Sequence, residues 1–435
     1  KMPALRPQDE VVRICQELIR IDTSNFGDNA GPGERAAAEY AAGLLEEVGL
    51  STEIFESSPG RASVVTRMAG EDPSADALVV HGHLDVVPAQ KEDWQVDPFS
   101  GEEKDGLIWG RGAVDMKDMD AMILSVARDM ARTGTKPKRD IVFAFFADEE
   151  AGGKYGARWA VDNRPELFDG ATEAISEVGG FSANIGGKRA YLLQTAEKGI
   201  AWLRLAVSGR AGHGSQINTD NAVTTLAGAV GRIGAHQWPI ELTDTSRRFL
   251  DGVTELTGVE FDPDNPDILL KELGTVARFV GATLQNTSNP TVLKAGYKEN
   301  VIPGLAEARI DARTLPGQDE LVLAKIQELA GEDVDISYIH QDSALEVPFA
   351  GNLVDAMVDS LRHEDPEAVV LPYTLSGGTD NKSLARLGIT GYGFAPLQLP
   401  DDLDFTGMFH GVDERVPVDS LKFGTRVLQR LLTTY

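Results

Sequence analysis

Apolar residues recur along this chain in two periods. Val11, Val12, Ile14, Leu18 and Ile19 fall at helical spacing and predict a helix over 9–20. Gly31 to Gly33 interrupt the chain, and a second amphipathic pattern over 34–48 ends near Gly49. Short apolar runs at 51–56, 62–68 and 77–81 predict strands. Residues 115–133 then read as a helix and 140–147 as a buried strand. Strands alternating with helices predict an α/β fold built on a doubly wound, mostly parallel sheet.

The texture changes after about residue 187. Residues 199–208 alternate, with Leu203, Leu205 and Val207 on one face, as a half-exposed antiparallel strand does. A helix over 219–235 and a second alternating strand over 307–314 follow. This β-α-β set predicts a small α+β domain inserted into the first. Residues 240–290 show little periodicity. From Gln318 the α/β texture returns, and Pro417 opens a last helix reaching Leu432. The expected division is a discontinuous catalytic domain of 1–187 and 317–435, interrupted by a lid or dimerisation domain of 188–316. A length of 435 residues asks for at least two domains.

Charge and cysteine content narrow the function classes. The net charge of −27 argues against nucleic acid and anionic membranes, which reward clustered Lys and Arg. No apolar run approaches the roughly 18 residues of a membrane span. Lys1-Met2-Pro3-Ala4 lacks the apolar core of a secretory leader. Cys15 stands alone, so there is no disulfide within the chain and no cysteine-based metal site. A cytoplasmic protein is expected.

The candidate chemistry lies where the apolar runs end. Val79-Val80 leads into His81-Gly82-His83-Leu84-Asp85, and Phe143-Ala144-Phe145-Phe146-Ala147 leads into Asp148-Glu149-Glu150. Strands that deliver His, Asp and Glu at their C-terminal ends match the active-site placement of open α/β sheets. These are donors that zinc accepts. Asp85 lies two residues beyond His83 and can hold that ring's other nitrogen, while His81 points the opposite way. Asp115, in a Gly-Arg-Gly loop before a helix, fits an N-cap. It equally fits a carboxylate bridging two cations about 3.5–4 Å apart. The adjacent Glu149 and Glu150 repel unless cations compensate, and their differing directions let one bind metal while the other moves a proton. Glu177 and His410 are weak signals alone. With His83, Asp115 and Glu150 they make a set able to hold two divalent metals. His213, between glycines, reads as an ordinary loop residue or as an electrophile for a developing oxyanion.

These motifs resemble the dinuclear zinc peptidase and aminoacylase family that contains acetylornithine deacetylase, succinyl-diaminopimelate desuccinylase, carboxypeptidase G and carnosinase-like dipeptidases. The resemblance runs from about residue 8 to the C-terminus. It rests on Val80 to Pro88, Trp94 to Phe99, Gly110 to Lys117 and the Glu149-Glu150 pair in that order. It implies that His83, Asp115, Glu150, Glu177 and His410 ligate two zinc ions, with cobalt or manganese as substitutes. Asp115 is the implied bridge, Asp85 orients His83, and Glu149 is the general base and acid. The resemblance also implies a cis peptide at Asp115-Met116. It implies a homodimer through the lid, with His213 entering the partner's site, a grip on the substrate's carboxylate end by Asn300 and Arg313, and substrate contacts from Gly378 and Thr379. Gly214 stands where relatives often carry Ser or Ala, and Glu177 fits the deacylase side better than the dipeptidase side.

The resulting expectation is metal-assisted hydrolysis of an N-acyl amino acid or short peptide with a free carboxylate. A dipeptidase or carboxypeptidase would use the same site. A two-metal phosphatase or nuclease suits the acidic chain poorly. An inactive scaffold would lack a ligand or the base, and none is missing.

Overall fold

The computed structural model describes residues 5–435; Lys1 to Ala4, read above for a leader, lie outside the described residues. A ten-stranded sheet organises the larger part of the chain. Its middle strands, Ile141–Phe146, Ala77–His83, Ala171–Ser176 and Thr390–Gly393, are neighbours in that order and run parallel. Ala62–Met68 and Thr52–Glu56 add antiparallel strands on one side. On the other side Lys188–Glu197 pairs antiparallel with Thr390–Gly393, and it carries Phe181–Ile185, Leu345–Glu346 and the parallel Val369–Leu375. The fold is α/β as expected, and its sheet is mixed: parallel pairing is concentrated in the middle.

Burial explains that concentration. The strand Ile141–Phe146 is apolar throughout and buried throughout, as a parallel strand covered on both faces must be. The helices Pro7–Arg20, Lys117–Thr133 and Val418–Thr434 cover one face. Ala157–Asn163 and the short helix Asn381–Ala385, through Leu384, cover the other. Among the described residues no helix is long and apolar enough to cross a membrane.

A separate antiparallel sheet holds four strands in the order Thr287–Ala295, Leu305–Thr314, Gly199–Ser208 and Asp335–Asp342. Leu203, Leu205, Val207 and Ile310 bury their side chains against Leu226 and Ile233 of the helix Ala222–Ala235 and against Val322 and Ile326 of Asp319–Ala330. The pairing moves the boundaries expected from texture. Lys188–Glu197 belongs to the large sheet, and Asp335–Asp342 belongs to the small one. The weakly periodic stretch around 244–281 contributes Phe249, Leu250, Val253 and Val280 to the main core. The small unit is therefore built from about 199–239 and 287–342, with the chain returning to the main body between.

Candidate active site and metal centre

Three neighbouring parallel strands end at the same edge of the sheet. His83 closes Ala77–His83, Glu149 and Glu150 follow Ile141–Phe146, and Glu177 follows Ala171–Ser176. A second device brings in the remaining residues. Arg415–Pro417 pairs antiparallel with Leu107–Trp109, which draws the loop carrying His410 beside the loop carrying Asp115. Asp115 does not cap the following helix. That helix starts at Lys117 with Met116 at the cap position, and the Asp115–Met116 peptide is cis.

The side chains form two groups that share one carboxylate. His83 Nε2 lies 3.1 Å from Asp115 Oδ1 and 3.1 Å from Glu177 Oε2. His410 Nε2 lies 3.2 Å from Asp115 Oδ2 and 3.0 Å from Glu150 Oε2. Each oxygen of Asp115 thus faces a different histidine. Glu149 stands beside the first group, with Oε2 3.2 Å from His83 Nε2. Backbone strain gathers here: Asp148, Val178 and His410 take φ of 64°, 58° and 58°. Such left-handed positions cost a non-glycine residue about 1–3 kcal/mol and persist where surrounding contacts hold them.

Asp85 organises the base of the site. His83 Nδ1 donates to the Asp85 carbonyl at 2.9 Å and lies 3.3 Å from its Oδ1. The amides of Glu149 and Glu150 donate to the two Asp85 carboxylate oxygens at 3.0 and 2.9 Å. Asn25 Nδ2 links Asp85 to Asp148. The buried Arg61 then joins Asp148 to Glu34, at 2.8 and 3.0 Å. His81 faces away, with Nε2 2.8 Å from Asn381 Oδ1. Burial lowers its pKa to about 4, so it is neutral.

The electrostatics ask for cations. Burial lifts Glu149 well above the usual carboxylate range, and the charge of Glu177 adds to it. Burial and Asp115 push Glu150 up to about 8. Burial would lower His83, but Glu177 and Glu149 carry it well above its ordinary value. The hydrogen bonds to Asp115 and Glu150 raise His410 to about 10. Burial would raise Asp115, yet the two histidines hold it far below the usual range. Among the described residues no Lys or Arg ion-pairs with these four carboxylates, and Glu150 Oε1 is buried without a hydrogen-bond partner. The His and carboxylate donors lie close enough together, and are of the kind, to hold divalent cations.

A cleft of about 600 Å3 opens over this cluster. Its apolar wall includes Ile200, Trp202, Phe279, Leu375 and Phe409, and its polar wall includes Lys198, Arg313 and Lys382. Gly378 and Thr379 line it, and the Thr379 amide donates to Glu197 Oε1 at 2.9 Å. Arg313 also lines it, but its Nε and Nη2 are bonded to Asp311 at 2.8 and 3.2 Å, so its charge is already partly matched. His213 and Asn300 are not among the lining residues. They sit together in an exposed ribbon, where the Gly214 amide donates to the Asn300 carbonyl at 2.9 Å and Gly212–His213 pairs with Val301–Ile302. The chain alone therefore does not bring these two residues to the metal cluster.

Sequence reasoning missed several supporting groups. Glu414 is fully buried, and its Oε2 accepts from the amides of Gly112, Val114 and Asp115 at 3.0, 2.8 and 3.1 Å. Arg111 holds its other oxygen at 3.0 Å. Glu34, Arg61 and Asn25 were equally hidden, because their partners lie far away in the chain. Only the position of Glu414 four residues beyond His410 hinted at a role.

Comparison with known proteins accords with this geometry. The model of peptidase family M20/M25/M40 matches residues 79–434. The N-fatty-acyl-amino acid synthase/hydrolase PM20D1 of Xenopus tropicalis is 28% identical over 96% of this chain and 84% of its own length. Aminoacylase-1 of Homo sapiens is 27% identical over 99% of this chain and 97% of its own. Among solved structures, the M20 family metallo-carboxypeptidase Sso-CP2 from Sulfolobus solfataricus superposes with a TM-score of 0.75 at 18% identity, covering 98% of this chain and 99% of that one. Human carnosine dipeptidase 1 gives a TM-score of 0.68 at 16% identity, covering 98% and 96%. The chain belongs to peptidase family M20/M25/M40 and is a hydrolase of amide or peptide bonds.

Proposed function

We propose that this chain is a dinuclear zinc aminoacylase that releases the acyl group from N-acyl amino acids with a free carboxylate. The observation that carries the reading is the division of Asp115 between two donor sets, His83 with Glu177 and His410 with Glu150. These five residues would hold the metals, with cobalt or manganese able to replace zinc. When bound, such a pair supplies Lewis-acid polarisation of the scissile carbonyl and acidifies water.

The chain's own residues do the rest. Asp85 fixes the tautomer of His83 by accepting from Nδ1, which leaves Nε2 free to ligate. Glu149 is not needed as a ligand, and its raised proton affinity suits a general base. Its carboxylate takes the proton of the attacking water and returns it to the departing nitrogen. Gly378 and Thr379 shape the substrate side of the cleft, and Arg313 contributes a planar guanidinium there. His213 and Asn300 would complete the site from a second copy of the chain. His213 would stabilise the oxyanion. The exposed edge strand Thr287–Ala295 is a surface on which the two small sheets can pair. With one buried cysteine, the chain suits a reducing, cytoplasmic setting.

The apolar wall of the cleft and the similarity to the N-fatty-acyl-amino acid synthase/hydrolase PM20D1 and to aminoacylase-1 favour an acyl amino acid over a dipeptide. The dipeptidase or carboxypeptidase reading has its own support in a carboxypeptidase S-like relative of Dictyostelium discoideum, 29% identical over 83% of this chain. Metal analysis with parallel hydrolysis of an N-acyl amino acid panel and a dipeptide panel separates the two. Two metals per chain and faster N-acyl hydrolysis are expected. Preferential dipeptide turnover would replace this reading by the second.

A further inference from the structure

The cleft contains four cationic side chains or neighbours, and they differ in how their charge is matched. Arg313 is bonded twice to Asp311. Arg158 is ion-paired with Asp342. Lys382 donates to the Lys198 carbonyl and feels the charges of Glu197 and Asp342. Lys198 differs from Lys382 in its surroundings. Its Nζ donates to two backbone carbonyls, Ala282 at 3.0 Å and Gln285 at 2.8 Å; among the described residues neither lysine is ion-paired with a carboxylate, and the one carboxylate whose charge Lys198 feels, Asp311, is already bonded to Arg313. The residue is 1% exposed, yet it is part of the cleft wall.

A buried ammonium without an anion is costly, and it is retained where a ligand completes it. Two carbonyls hold the Lys198 head in a fixed place and leave its third N–H uncommitted. Both carbonyls precede the strand Thr287–Ala295, where the chain crosses from the main body to the small sheet. The strand Gly199–Ser208 begins immediately after Lys198 and makes the same crossing. The charge is thus anchored at the junction of the two units. The neighbouring Arg313 acts on it as a further positive charge.

From this we infer that Lys198 is the specificity-determining residue that receives the substrate's free carboxylate, with Arg313, already tied to Asp311, as a supporting neighbour. The inference rests on the N-acyl amino acid reading and adds the group that selects for the acid. It separates two jobs. Arg313 shapes that end of the cleft, and Lys198 supplies the unmatched charge. An acid substrate neutralises Lys198, whereas the corresponding carboxamide leaves it buried and unpaired.

The test compares the N-acyl amino acid that the parent enzyme cleaves best with its carboxamide. Lys198→Met is expected to lower kcat/KM for the acid about 10- to 100-fold, the range for losing a hydrogen bond to a charged group. The loss should appear mainly in KM, with the carboxamide changed little and the metal content unchanged. Lys198→Arg keeps the charge and should recover part of the acid preference. It also serves as the deciding variant if Lys198→Met does not fold. Arg313→Lys should leave the preference largely in place. Equal losses for acid and carboxamide, or an acid preference that survives Lys198→Met and vanishes in Arg313→Lys, would overturn the assignment. If the parent enzyme cleaves no N-acyl amino acid, the functional reading itself fails. Turnover with an unaltered preference in both Lys198 variants removes only the role given to Lys198.

Discussion

The Asp115 amide donates to Glu414 Oε2 at 3.1 Å across a separation of 299 residues. The same carboxylate oxygen accepts from Gly112 and Val114, so one buried side chain sets the whole loop that presents Asp115. Glu414 also lies in the loop of His410. It therefore couples the shared carboxylate to the ligand it shares. Glu414→Ala is expected to weaken metal binding about 10- to 100-fold, the usual cost of losing an outer partner of a metal ligand. The metal-to-protein ratio after dialysis against graded chelator reads this directly. A ratio identical to the parent at every chelator concentration would remove Glu414 from the support of the site.

Glu149 and the ligands should separate by metal content. Glu149→Gln is expected to lower kcat by at least about 100-fold, since positioned proton transfer contributes roughly 10^2 to 10^4. It should keep close to the parent's metal load. His83→Ala and His410→Ala should instead lose metal. If Glu149→Gln loses metal as readily as the histidine variants, Glu149 acts as a ligand and the base lies elsewhere.

Metal loading should release protons. Without metal, His410 is drawn up to about 10 by Asp115 and Glu150, His83 is raised by Glu177 and Glu149, and Glu150 sits at about 8. Groups whose proton affinity is raised in this way must give up protons to ligate. Affinity should therefore rise with pH between about 6 and 9. Calorimetric titration of zinc into stripped protein, in buffers of different ionisation enthalpy, should report net proton release. Zero release at pH 7 would mean that the ligands are already deprotonated.

Acid and carboxamide substrates should diverge with pH. Burial, with Arg313 nearby, lowers Lys198 to about 7. Its ammonium form is present below that value and is lost above it. The ratio of kcat/KM for acid to that for carboxamide should fall as pH climbs through about 7, while effects common to both substrates cancel. A ratio constant from pH 6 to 9 would contradict a titrating cation at the carboxylate end.

His213 can be tested by complementation. His213→Ala should cost about 100- to 1000-fold in rate, as loss of an oxyanion donor does, with metals retained. Mixing and re-equilibrating His213→Ala with Glu149→Gln should regenerate activity that neither variant has alone. A mixed dimer contains one site with an intact Glu149 and a His213 from the other chain. No regained activity after verified subunit exchange would place His213 outside the partner's site.

The candidate metal donors were legible because several end an apolar strand or precede a helix, and strand ends at one sheet edge converge by topology. His83 and Glu150, with Glu149 beside them, needed only that rule. Glu177 and His410 were weak alone and gained weight only as members of a set with His83, Asp115 and Glu150, since the meeting of Asp115 and His410 depends on Arg415–Pro417 pairing with Leu107–Trp109, a contact between distant segments. The supports Glu414, Arg61 and Lys198 could not be read, because a buried charge declares itself only through partners that the fold brings in. Domain limits failed for a related reason. Strand alternation describes one face of one strand, not which sheet accepts it, so Lys188–Glu197 and Asp335–Asp342 each joined the unit opposite to that expected.

The placement of Asp115 between an early histidine and a late one also sets an order of assembly. His83, Asp115 and Glu177 all precede the small sheet in the chain, and the strands that end in His83 and Glu177 are adjacent. Asp115 is nevertheless fixed by Glu414, which lies beyond His410, so neither donor set is complete until the last segment docks. Both sets would therefore close late and together, when Arg415–Pro417 pairs with Leu107–Trp109, and truncation before His410 would cost both sets rather than one.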